Sequence, residues 1–133
     1  LDLLTAALEP RGYEVFAAPG GEAGLKIAAR VQPDLILLDV MMPGRDGFAI
    51  CRELKAEDAT REIPVMFLTA RHETASVLNG FRVGAVDYIL KPFQPEEVLG
   101  RVETHLKISR LTRELQSRNA ELEEEIEEEE GDA

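Results

Sequence analysis

The chain has 133 residues, 44% of them hydrophobic and 31% charged, with a formal net charge of −11, which fits one globular domain with a real core and little else. No run approaches the roughly 18 apolar residues of a membrane span, no secretory leader stands out, and the lone Cys51 excludes an internal disulfide and suits a reducing, cytoplasmic setting. The acidity is local: residues 121–132 hold nine acids and no base, which leaves 17 acids against 15 bases elsewhere, so no basic footprint for nucleic acid is present.

Residues 1–8 have helical apolar spacing and stop before Pro10 and Gly12. Residues 13–18 read as a short strand closed by Pro19-Gly20-Gly21. That turn lacks the Gly-Lys-Ser/Thr ending of a phosphate loop and reads as a helix start. Residues 22–31 form a helix with Ala23, Ile27, Ala28 and Val31 inward, and residues 34–40 a strand ending at Asp39. Asp46 opens a helix carrying Phe48, Ile50, Cys51 and Leu54, where Cys51 reads as a small buried residue rather than a reactive thiol. A buried strand follows at residues 63–69, with Pro64 tolerated only at its start. A helix over 73–83 is stopped by Gly84, a last strand spans 86–91, and Pro95 opens a long helix as its first residue. Four strands alternating with five helices predict right-handed crossovers and a parallel sheet. A pattern that begins on a helix, and on Leu rather than Met, suggests that a strand once preceded it.

Leu35-Ile36-Leu37-Leu38 reads as a strand buried on both faces, and Asp39 closes it just before Met41-Met42-Pro43-Gly44. A carboxylate there is tolerable only where the chain turns toward water. The carboxyl ends of parallel strands are also where ligands and chemistry collect. Taken alone, Asp39 is as readily a turn residue, Thr69 a helix cap and Lys91 a surface charge. Together they place an acceptor carboxylate, a hydroxyl and a cation at successive strand ends of one sheet edge. That set suits receipt of a phosphoryl group, with catalysis by positioning and electrostatics. A cis peptide at Lys91-Pro92 would turn the chain and aim the ammonium back over the edge.

Three stretches carry a family resemblance. They are Pro33-Asp34-Leu35-Ile36-Leu37-Leu38-Asp39-Val40-Met41-Met42-Pro43-Gly44 with Asp46-Gly47, then Ile63-Pro64-Val65-Met66-Phe67-Leu68-Thr69-Ala70, and Gly84-Ala85-Val86-Asp87-Tyr88-Ile89-Leu90-Lys91-Pro92-Phe93. Here the chain resembles the receiver domain of two-component response regulators over residues 1–106. The resemblance implies a flavodoxin-like, doubly wound parallel α/β sheet. It implies Asp39 as phosphoacceptor from a histidine kinase or phosphotransfer protein, Lys91 as the phosphate-contacting cation and Thr69 as the switch hydroxyl. It implies Tyr88 as the switch aromatic, Mg²⁺ held by Asp39 and the Met41 carbonyl, and a working surface at residues 73–106. Met41 and Arg71 occupy the positions that tune phosphate lifetime, and an apolar Met41 predicts slow hydrolysis.

The family begins with a strand ending in two acids that complete the Mg²⁺ site; this sequence starts after them, and Asp2, in the first helix, is a poor substitute. One carboxylate and one carbonyl are expected to hold Mg²⁺ weakly. The alternative is therefore a degenerate receiver, a phosphate-independent interaction or dimerisation module. A turnover phosphohydrolase of the haloacid dehalogenase type needs a second acid two residues after its nucleophile, and Met41 stands there, so no enzyme of that kind is expected.

Residues 107–133 read as a helical linker with an acidic end. Ile108, Leu111, Leu115, Asn119, Leu122 and Ile126 recur at coiled-coil spacing with one eleven-residue step. Asn119 on that seam predicts a two-stranded parallel pairing, hence a homodimer through residues 73–106 and this helix. A single solvated helix is the plainer reading. His72, expected to start a helix, and His105, expected to face outward, have no metal-ligand spacing and receive no role.

Overall fold

Three of the apolar runs pair into a parallel sheet. The structure is a computed structural model that describes residues 2–132. Strand β1 (Ile36–Leu38) pairs with β2 (Val65–Thr69), and β2 with β3 (Asp87–Leu90), in the order β1-β2-β3. Leu38 lies opposite Phe67, and Thr69 opposite Leu90. Every residue of the central β2 is buried, as its unbroken Val65-Met66-Phe67-Leu68-Thr69 run requires.

Helices cover both faces. The chain runs through α1 (Asp2–Leu8), α2 (Gly21–Val31), α3 (Gly47–Ala56), α4 (Thr74–Arg82) and α5 (Pro95–Asp132). On one face Ala28 of α2 and Ile50, Cys51 and Leu54 of α3 pack with Leu38, Val65 and Phe67. Phe67 is fully buried between Phe48, edge-on at 5.4 Å, and Tyr88, tilted at 5.9 Å. On the other face Val98 and Val102 of α5 pack on Met66, Leu68 and Ile89, with Leu4 of α1 against the same cluster. The Asp46 side chain accepts the Ala49 N–H at 2.8 Å and so caps α3. Pro95 opens α5 where its missing N–H costs nothing.

Four expectations are corrected. Residues 13–18 form no strand, so the described sheet has three strands rather than four. Among the described residues no strand pairs with the outer edge of β1, and a β-prone run without a ladder partner has nothing to pair with. Phe16, in that run, is half exposed. β1 is correspondingly short, three residues against the seven expected. His72 precedes α4 in an extended connector, because α4 starts at Thr74. His105 does not face outward: it is held against Asp87, with 18% of its side chain exposed. Cys51 is fully buried, and burial pushes its thiol above the usual value despite Lys55 and Arg52 nearby.

Beyond residue 106, α5 leaves the domain. None of the described side chains there is buried. No described helix is long and apolar enough to cross a membrane.

Candidate functional site

Asp39 sits one residue past β1, on a loop fixed from both sides. Val40 is buried, and its carbonyl accepts the Gly47 N–H at 2.8 Å. A Cβ on Gly47 would stand 2.2 Å from the Asp39 carbonyl oxygen, so only glycine allows the start of α3 to approach this loop. The Asp39 Oδ1 accepts the Met41 N–H at 2.9 Å, which aims the carboxylate along the sheet edge. Gly47 stood in the sequence only as part of a motif; its positioning role comes from this tertiary contact.

The neighbouring strand ends bring the other groups to the same rim. Thr69, the last residue of β2, is fully buried, and its carbonyl accepts the Lys91 N–H at 2.9 Å. The Lys91-Pro92 peptide is cis, and Lys91 Nζ donates to Asp39 Oδ2 at 2.8 Å. Burial pushes the Asp39 carboxyl up. Hydrogen bonds from Lys91, the Met41 N–H and Thr69, with the Lys91 charge, outweigh that and hold it below the ordinary 3.8. At neutral pH it is a carboxylate, and with 30% of its side chain exposed a donor can reach it. Beside it an open hollow of about 480 Å³ is lined by Val40, Met41, Met42, Asp46, Phe48 and Arg71.

A second set of contacts leads away from the carboxylate. The Arg71 N–H donates to Thr69 Oγ1 at 3.3 Å, and the Arg71 carbonyl accepts the Tyr88 hydroxyl at 2.6 Å. One backbone residue therefore joins the Thr69 hydroxyl to the Tyr88 ring. Burial, helped by Glu73, raises the Tyr88 hydroxyl above its ordinary value, so it stays a donor. The ring lies on α4 at Gly80, where a Cβ would come within 2.8 Å of it. Gly80 was not singled out in the sequence, since nothing local marks a glycine in a helix as a seat for a distant ring.

Asp87 opens β3 and ties it to α5. Its Oδ1 accepts from Arg101 at 2.8 Å and its Oδ2 contacts His105 Nε2 at 3.1 Å, while the Tyr88 N–H also points at Oδ1. Burial opposes its charge, but the Tyr88 N–H, His105 and Arg101 together hold its carboxyl below the ordinary value.

The expected Mg²⁺ site does not fit the residues on hand. Among the described residues no three His, Cys, Asp or Glu side chains converge. The Asp39 oxygens already serve Lys91 and the Met41 N–H, and the Met41 carbonyl is the only other family-implied donor. Such a set leaves an octahedral cation almost wholly to water.

Residues 1–103 match the response regulator receiver domain family. The chain is 44% identical over 106 residues to the DNA-binding dual master transcriptional regulator RpaA of Synechocystis, covering 80% of this chain and 44% of that protein. It is 42% identical over 118 residues to the response regulator PleD of Caulobacter vibrioides, covering 89% of this chain and 26% of that protein. The chain thus spans less than half the length of these relatives. Among solved structures, a putative response regulator from Chloroflexus aurantiacus superposes with a TM-score of 0.76 at 36% identity, covering 80% of this chain and 87% of that one. The BeF3-activated receiver domain of RstA from Klebsiella pneumoniae does so at 0.70 and 35%, covering 78% of this chain and 86% of that one. A doubly wound parallel sheet, an anionic strand-end carboxylate held by a lysine, and these matches give one result: the chain belongs to the response regulator receiver domain family of two-component signalling.

Proposed function

We propose that Asp39 is the phosphoacceptor, taking a phosphoryl group from a histidine kinase or phosphotransfer protein. A carboxylate oxygen attacks phosphorus as the bond to the donor imidazole breaks, leaving an acyl phosphate and a free imidazole. The observation that carries this is the 2.8 Å contact between Lys91 Nζ and Asp39 Oδ2, because the same ammonium can balance charge on the incoming group. Thr69 is the hydroxyl that binds a phosphoryl oxygen, and Tyr88 follows it through Arg71. Tyr88 lies on Gly80, so its displacement remodels the surface at residues 73–106.

In this reading residues 1–106 are the receiver and residues 107–133 a helical linker, in a cytoplasmic protein that is not a turnover enzyme. The receiver homodimerises through residues 73–106 and engages its output through the helix. Mg²⁺ is required, and the described residues supply too little of its shell.

The test is intact-mass labelling with a small-molecule phosphodonor and Mg²⁺. The chain as given takes up little phosphate, and a version extended at its start by a strand ending in two acids takes up one phosphoryl group. Asp39→Ala in the extended form abolishes uptake. Stoichiometric uptake by the chain as given refutes the metal argument, and uptake that survives Asp39→Ala refutes the acceptor. Signalling that survives Asp39→Ala favours the phosphate-independent module instead. Met41→Asn should speed dephosphorylation; an unchanged rate removes Met41 from the account.

A further inference from the structure

The projecting part of α5 carries a pattern that the receiver reading leaves unused. Ile108, Leu111, Leu115, Leu122 and Ile126 are 48–64% exposed, so a continuous apolar stripe faces water. At 3.6 residues per turn these five and Asn119 fall within an arc of about 80°. The stripe is nearly symmetric about Ser117 when read in either direction. Folded against a second copy running the opposite way, Ile108 meets the partner's Ile126, Leu111 the partner's Leu122, and Leu115 the partner's Asn119.

The charges share this symmetry with inverted sign. Lys107 and Glu114 follow one flank of the stripe in its first half. Arg118 and Glu125 follow the same flank in its second half. In an antiparallel pair like flanks meet. Lys107 then lies beside the partner's Glu125, and Arg118 beside the partner's Glu114. In a parallel, in-register pair Glu125 comes beside the partner's Glu130 and Glu129 meets the partner's Glu129, with no base among residues 121–130. The parallel form is favoured by Asn119 meeting the partner's Asn119 and by Arg118 reaching the partner's Glu123, which is little against that repulsion.

We infer that the α5 extension, residues 107–130, is a self-association surface whose occupant is the same helix of a second copy, running antiparallel. It departs from the parallel pairing expected from Asn119. The stripe is about 27 Å long at 1.5 Å per residue, so the pairing is modest and reversible. It places the two receiver domains at opposite ends of the helix pair. Their residue 73–106 faces cannot meet within that pair, so the two modes of association exclude each other.

Leu111→Cys and Leu122→Cys chains mixed in equal amounts in a glutathione redox buffer decide the orientation. Both positions are exposed on the helix, and the native Cys51 is buried. The inference expects the mixed disulfide to dominate. Homodimeric disulfides in each variant, a statistical mixture, or no cross-link at all each overturn it. Sedimentation of the unaltered chain gives an independent reading. Raising salt from about 0.1 M to about 1 M shrinks the Debye length from about 10 to about 3 Å. An antiparallel pair should weaken several-fold, whereas a pair that tightens or ignores salt is not held by opposite charges. Neither measurement depends on phosphate, so failure here leaves the role of Asp39 untouched.

Discussion

The receiver body and the helix that leaves it are built from the same residue types, yet only the first closes on itself. Up to residue 106 the sheet is packed from within the chain: β2 lies under helices on both sides, and Phe67, Met66 and Val98 are sealed, although Leu78 and Phe81 of α4 stay exposed. Beyond it the leucines and isoleucines of α5 meet only water. The body's geometry is fixed by its own packing, whereas the extension's arrangement is set by what it meets. A signalling module needs both, a frame that holds a carboxylate steady and an appendage free to change neighbours.

Substitutions that break the contrast should differ sharply in cost. Phe67→Ala empties the centre of the body and should cost about 3–5 kcal/mol, read as a fall in the denaturation midpoint; a loss under about 1 kcal/mol would mean that the core is not packed as described. Gly47→Ala should cost about 1–3 kcal/mol through overpacking against the Asp39 carbonyl, and in the extended form it should impair phosphorylation at Asp39 more than its stability loss explains. Wild-type labelling in that variant would release Gly47 from a positioning role.

The Lys91–Asp39 pair gives a smaller, pH-dependent effect. Asp39 has its folded value below the ordinary 3.8, so the unfolded chain binds more protons in that range. Its stabilising contribution is full above the unfolded value and disappears as pH falls through the folded one. Lys91→Gln should therefore be slightly less stable than the parent at neutral pH, and the gap should close below about pH 4. A gap that persists in acid would show that the carboxylate is not its source. Leu115→Ala should sit at the bottom of the scale. It should change the body's stability by less than about 0.5 kcal/mol while weakening self-association, which sedimentation separates from unfolding.

Much of this was legible in the sequence, and what was not has a physical cause. The strand-end positions of Asp39, Thr69 and Lys91 follow from unbroken aliphatic runs that stop at turns, and their convergence follows from parallel strands sharing a carboxyl edge. Residues 13–18 misled because β-propensity describes a fit to neighbouring strands, and no strand pairs with them among the described residues. His105 misled because helical spacing alone does not reveal that Asp87, 18 positions away, turns its carboxylate toward it. Gly47 and Gly80 carried no local mark at all, since each is defined by a distant atom that would occupy its Cβ.

Thr69 has a consequence beyond its own hydroxyl. It terminates the one strand that is enclosed along its entire length, and it lies opposite Leu90 across the ladder. In the switching role proposed for it, Thr69 would therefore have little slack, and the least constrained outlet for its movement would be the connector at Arg71. The enclosure of β2 would then give that movement a direction.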